Sequence, residues 1–158
     1  MNFRKLAAAT LALGIASSTV APLAAHGEGE KKERFFESQY RHDVMEHFNY
    51  SMKKLIPILF KGAGHEDHLP AIAKIMANTA TMAKTSFEKD TRDMEGHTLA
   101  KAKIWDNWDD FSKRLDKLEV DTAAFVVATE TADKTLIVPA FKQVGSNCKS
   151  CHDEYKNK

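Results

Sequence analysis

The chain has 158 residues, with 23 lysines and arginines against 22 aspartates and glutamates and a formal charge of +1. That length fits one ordinary domain with its own core. The near balance of charge excludes the strong basic excess of nucleic-acid binders.

Residues 1–25 read as a secretory signal. Arg4 and Lys5 form a basic start, Leu6 to Val20 are apolar or small, and Pro22-Leu23-Ala24-Ala25 offers a small-residue cleavage site. The apolar stretch falls short of the ~20 residues that span a bilayer. The expectation is a leader cut near Ala25, a mature domain over 26–158 and a periplasmic location. Loss of Arg4 and Lys5 leaves a weakly acidic remainder without a second long apolar run, so no membrane span is expected there. Residues 27–33 are rich in Gly, Glu and Lys and read as a disordered start.

Beyond this the periodicity is helical. Phe36, Tyr40, Val44, Phe48, Met52, Leu55 and Leu59 recur every three or four residues and predict a first amphipathic helix, kinked at Pro57 and ended by Gly62 and Gly64. A second helix is expected to start between Asp67 and Pro70, with Leu69, Ile72, Ile75 or Met76, Thr79 and Met82 as its stripe. Residues 86–102 are polar, with Gly96 in the middle, and read as a long connection of the functional or partly ordered kind. The third helix is expected to carry Ile104, Trp105, Trp108, Phe111, Leu115, Leu118, Thr122, Phe125 and Thr129. After a break near Ala132-Asp133 the fourth carries Ile137, Phe141, Val144, Cys148 and Cys151, with a start as late as Pro139. Four such helices with mostly short links predict an all-α fold, an antiparallel four-helix bundle able to hold a cofactor between facing helices.

Cys148-Lys149-Ser150-Cys151-His152 points to that cofactor. Each sulfur can add to one haem vinyl group, and the adjacent imidazole can then reach the iron from one face. On a helix, Cys148 and Cys151 point the same way and His152 lies one turn on from Cys148. Gly145, one turn earlier, costs about 1 kcal/mol relative to alanine in a helix interior. Close approach of a large planar ligand explains it, as does helix fraying. A thioredoxin-like dithiol needs a βαβ context, zinc needs further ligands, and a disulfide leaves His152 without a purpose. The expected cofactor is one covalent haem c beside the C-terminal helix.

The chain resembles the class II cytochromes c, the family of cytochrome c-prime and its low-spin relatives of the cytochrome c-556 type. Tyr40-Arg41-His42-Asp43-Val44-Met45 in the first helix, Lys103-Ile104-Trp105 opening the third, and Val144-Gly145 before Cys148 carry the likeness. So does the position of the pentapeptide after three helices, and the likeness covers essentially the whole mature chain. The resemblance implies Cys148 and Cys151 as thioether attachment points and His152 as the proximal iron ligand. It places Arg41 near the haem edge or a propionate and Met45 opposite the iron, and it implies a homodimer through the first helices. The chain departs from common family patterns at His42, where many members have glutamine, and at Lys156, where many have arginine.

The sixth iron position separates two functions. If Met45 binds iron, the haem is six-coordinate and low-spin with a raised reduction potential, suited to electron transfer with redox partner proteins. If Met45 only packs, an apolar site is open to a small gas such as nitric oxide or carbon monoxide. Arg41, Met45, Asn49 and Met52 share one helix face, which favours ligation, although methionine is also a common filler of core gaps. The expected function is electron transfer by a monohaem c-type cytochrome. A five-coordinate gas-binding protein is the alternative, and an exported helical metal-binding protein without haem is a remote one.

Other signals are weaker. His42 and His47 lie off the core stripe and read as surface histidines. Gly64-His65-Glu66-Asp67-His68 looks like a metal loop but reads as a polar connection entering a helix, because no further ligands cluster in sequence. Lys142, Lys149 and Lys156 recur every seven residues as a candidate docking face, interrupted by Asp153 and Glu154. Trp105 and Trp108 need only core packing. The sequence has no nucleophile–base pair, phosphate-binding glycine loop or carboxylate pair of catalytic type, so no enzyme is expected.

Overall fold

A computed structural model describes residues 32–158, so the expected leader over 1–25 and most of the 27–33 segment lie outside the described residues. The helices are α1 (Phe36–Phe60), α2 (Leu69–Ala83), α3 (Lys103–Asp106), α4 (Trp108–Glu130) and α5 (Lys134–Tyr155), with 3-10 turns at Glu66–His68 and Thr85–Phe87. The four long ones form the expected bundle. Among the described residues, no helix is long and apolar enough to cross a membrane.

The inward face of α1 is Ser38, Arg41, Val44, Phe48, Ser51, Leu55, Ile58 and Leu59. Phe36 and Tyr40 leave the stripe, with 83% and 49% of their surface exposed. At 3.6 residues per turn Phe36 falls on the side of Tyr50, and Tyr40 lies at the edge of the stripe, between Phe36 and Val44. Arg41 and Ser38 take the inward positions instead. The helix ends as Lys61 and Ala63 both donate to the Pro57 carbonyl, at 3.0 and 3.2 Å. Gly62, Gly64 and His65 then turn the chain with φ of 66°, 72° and 64°.

In α2 the buried residue of the Ile75/Met76 pair is Met76, while Ile75 and Met82 are exposed. The third helix is not continuous. Asn107, at φ −127° and ψ 45°, separates the single turn α3 from α4. The fourth helix begins five residues before Pro139, because the Asp133 side chain accepts a hydrogen bond from the Thr135 N–H and caps it. Threonines sit in the core without penalty because their hydroxyls bond back along the helix, Thr79 to the Ile75 carbonyl at 2.7 Å and Thr122 to that of Leu118 at 2.9 Å.

The packing runs α1 on α2, α2 on α4 and α4 on α5. Between α1 and the C-terminal half of α5 the ring is open, and a cavity lies there.

Candidate cofactor site

The cavity has a volume of about 480 Å³, within the ~300–1,000 Å³ of small-molecule and cofactor sites. One wall is α1, presenting Arg41, Met45 and Met52; the facing wall is α5, presenting Gly145, Cys148, Cys151 and His152. Phe111 and Leu115 of α4 form the floor, and Thr98, Leu99 and Ala100 close one side.

On the α5 wall, Cys148 and Cys151 are free and half-buried. Burial raises both thiol pKa values, that of Cys151 to about 11. Among the described residues, Cys148, Cys151 and His152 do not form a group whose donor atoms could share one metal ion. The His152 imidazole is held below its usual pKa by desolvation and by the charge of Lys156, which keeps a lone pair free. Among the described residues, a Cβ on Gly145 would meet nothing within 4 Å, and the space beside this turn of α5 belongs to the cavity. Gly145 lies inside a continuous helix, which excludes fraying as the reason for it.

Two clusters fasten this wall. Next to Cys148, the buried Asp121 carboxylate accepts from Lys117 Nζ at 2.8 Å and from Gln143 Nε2 and Asn147 Nδ2, each at 3.3 Å. Past His152, the buried Tyr155 hydroxyl donates to Asp110 Oδ2 at 2.6 Å, and Arg114 Nε donates to the same oxygen at 2.7 Å. The 88–102 connection is tied down here too, since Lys101 N–H donates to the Tyr155 carbonyl at 3.0 Å and Asn157 N–H to that of Leu99 at 2.8 Å. These bonds flank an isolated antiparallel bridge between Ala100 and Lys156.

On the α1 wall, Arg41 is 3% exposed, and Nη2 donates to Thr91 Oγ1 at 2.8 Å. The rings of Phe87, Trp105 and Phe35 stand 5.2, 5.5 and 5.7 Å from its guanidinium carbon. Nη1 is buried and has no hydrogen-bond partner among the described residues. A buried guanidinium with a spare donor at a cavity edge is matched by an anionic group inside the cavity. The propionates of a haem supply one, and the open space beside Gly145 and the apolar walls accept its ring. The residues fit a covalent porphyrin.

Arg41, Met45, Cys148, Cys151 and His152, singled out in the sequence, thus surround one cavity. His42 also lines it and is half-buried, which corrects its reading as a surface residue; His47 is exposed and outside. Trp105 and Trp108 stand behind the walls, with Trp105 Nε1 donating to the Phe87 carbonyl at 2.9 Å. Sequence reasoning missed Thr91, the 98–100 closure and the Asp110–Arg114–Tyr155 cluster. Only the Asp110/Arg114 pair, four apart on a helix, left a signal there.

The cytochrome C' family pattern matches residues 37–156. Cytochrome c-556 of Agrobacterium tumefaciens (strain apple 185) is 33% identical over 119 residues, covering 65% of this chain and 91% of that protein. Cytochrome c' of Rhodospirillum rubrum is 33% identical over 90 residues, covering 57% of this chain and 58% of that one. The structure of cytochrome c prime from Shewanella frigidimarina superposes with a TM-score of 0.71 at 25% identity, covering 79% of this chain and all of that one. A match running the length of the bundle, over a cavity that accepts a porphyrin, shows that the chain belongs to the cytochrome c' family and that its cofactor is haem c.

Proposed function

We propose that the chain is a periplasmic electron carrier with one haem, joined through thioethers at Cys148 and Cys151, with His152 and Met45 as the two axial ligands. The observation that carries this is the presence of His152 and Met45 on facing walls of one cavity, α5 and α1. Bound haem supplies a one-electron ferric/ferrous couple, and a thioether ligand raises its potential. The protein contributes fixed walls. Asp121 and Tyr155 fasten α5 on either side of the pentapeptide, and the 98–100 closure limits water. Arg41 would hold its positive charge beside the propionates of a bound haem.

Optical spectra test the sixth ligand. The native protein is expected to be low-spin in both oxidation states, and Met45→Ala to turn high-spin. A high-spin ferric spectrum of the native protein ends this reading in favour of the second one, a gas-binding site. The half-buried setting of Met45 among Phe48 and Met52 favours that alternative, since a flexible thioether packs there without a bond. Carbon monoxide would then bind the reduced protein rapidly, with no ligand to displace.

A homodimer through α1 and α2 is supported by an exposed apolar face. Tyr40, Tyr50, Ile75 and Met82 are 49%, 55%, 45% and 38% exposed there, and Tyr50, Ile75 and Met82 line a shallow groove between the two helices.

A further inference from the structure

The corner between α1 and α2 carries a cluster of ligating side chains that the haem cavity does not use. We propose that His65, Asp67 and His68 together bind one divalent first-row transition cation, with water completing its coordination.

The backbone builds this site. Gly62, Gly64 and His65 all have positive φ and reverse the chain. The 3-10 turn Glu66–His68 follows, with His68 N–H donating to the His65 carbonyl at 3.0 Å. In such a turn the side chains at i and i+3 eclipse each other. His65 and His68 therefore stand ring over ring, with centroids 5.0 Å apart and planes inclined by 13°. Asp67 Oδ2 lies 3.7 Å from His68 Nε2. Donor atoms of all three residues lie within 4.8 Å of one another.

Donors on one ion at ~2.0–2.2 Å bond lengths stand about 3–4 Å apart. The side chains need only draw together by torsions, and all three are exposed and free to turn. The sequence marks residues 64–68 as a possible metal loop but has no finger-type ligand spacing to support it. The turn, rather than the interval, brings them together.

Two imidazole nitrogens and one carboxylate oxygen suit copper, zinc and nickel, and bind magnesium or calcium poorly. Among divalent ions the natural order of affinity puts Cu²⁺ first. Glu66 is engaged elsewhere, since its carboxylate accepts from Lys134 Nζ of α5 at 3.1 Å. That contact sets the corner beside the start of α5. Lys134 precedes Cys148 by fourteen residues of continuous helix, or about 20 Å at 1.5 Å per residue. A cation at the corner is thus remote from the haem iron.

Calorimetric titration of the haem-loaded protein with Cu²⁺, Zn²⁺ and Mg²⁺ tests the assignment, with the Soret band followed in parallel. The expected result is one equivalent of Cu²⁺ bound more tightly than Zn²⁺, no Mg²⁺ bound, and an unchanged Soret band. His68→Ala, and His65→Asn, which tolerates the left-handed backbone, should each weaken Cu²⁺ by about tenfold or more. His47→Ala, elsewhere on the surface, should leave it unchanged. The proposal is overturned if both corner variants bind Cu²⁺ like the native protein, if Mg²⁺ binds as well as Cu²⁺, or if the ion perturbs the haem spectrum.

Discussion

Arg41 donates through Nη2 to Thr91 Oγ1 at 2.8 Å, joining the buried face of α1 to a residue fifty positions further along the chain. The contact fixes a guanidinium at the cavity edge, while Nη1 has no partner among the described residues. Burial lowers the Arg41 pKa, with Glu37 opposing that shift, but a guanidinium keeps its charge at neutral pH. Removing it from beside the haem favours the ferric state. Arg41→Gln should lower the reduction potential of the haem-loaded protein by about tens of millivolts. Thr91→Val leaves that charge in place and should cost about 1–3 kcal/mol of stability through a second unpaired donor. Redox titration and urea unfolding of both variants separate the two effects, and an unshifted potential in Arg41→Gln counts against a propionate partner.

The Tyr155–Asp110 bond carries two opposite pH signatures. Burial, with Asp110 second, pushes the Tyr155 phenol up to about 12. Its stabilisation is full below the unfolded tyrosine value of about 10 and is lost as pH rises toward 12. Hydrogen bonds from Tyr155 and Arg114 hold Asp110 below the usual carboxylate range. That contribution is full above about pH 4 and is lost as pH falls through the lowered value. Tyr155→Phe should therefore melt below the native protein at neutral pH, and the gap should narrow at both acid and alkaline extremes. Melting curves across that range check it; a gap independent of pH would assign the effect to packing alone.

Gly96 pins the connection over the cavity. Its φ is +132°, and a Cβ there would lie 2.9 Å from the Glu33 carbonyl oxygen and 3.1 Å from the Phe35 ring. The neighbouring His97 N–H donates to that same carbonyl, and Ser38 Oγ donates to the His97 carbonyl. Gly96→Ala should destabilise the protein by about 1–3 kcal/mol and speed hydrogen exchange in residues 97–101. Native-like exchange in that segment would show that the connection is held elsewhere.

The bundle was legible because its helices repeat their apolar residues at 3.6 spacing, and the pentapeptide because its chemistry is local. What was hidden depends on contacts between distant segments. Phe36 and Tyr40 look like core in the α1 stripe, yet Arg41 takes the inward position because Thr91 and the rings of Phe35, Phe87 and Trp105 receive its guanidinium. The break at Asn107 interrupts an otherwise smooth stripe, so periodicity passes over it. Asp133 displaced Pro139 as the start of α5 through one capping bond, a cue present in the sequence but outweighed by the proline. Thr91 sits in a polar run with no pattern, and only the folded chain brings it to Arg41.

The exposed apolar face of α1 and α2 predicts self-association. A charge placed in its middle should split the pair, since an unpaired carboxylate is costly to bury. Tyr50→Glu combined with Met82→Glu should sediment as a monomer where the native protein sediments as a dimer, with the haem spectrum unchanged. A native protein that is monomeric at high concentration removes the dimer from the account.

The mass of the protein under denaturing conditions tests covalent haem attachment most directly. Haem bonded to Cys148 and Cys151 stays with the chain when the fold is lost, so the account predicts polypeptide plus one haem, with the Cys148→Ser, Cys151→Ser double variant reduced to bare polypeptide. A native protein whose denatured mass equals that of the bare chain would contradict it.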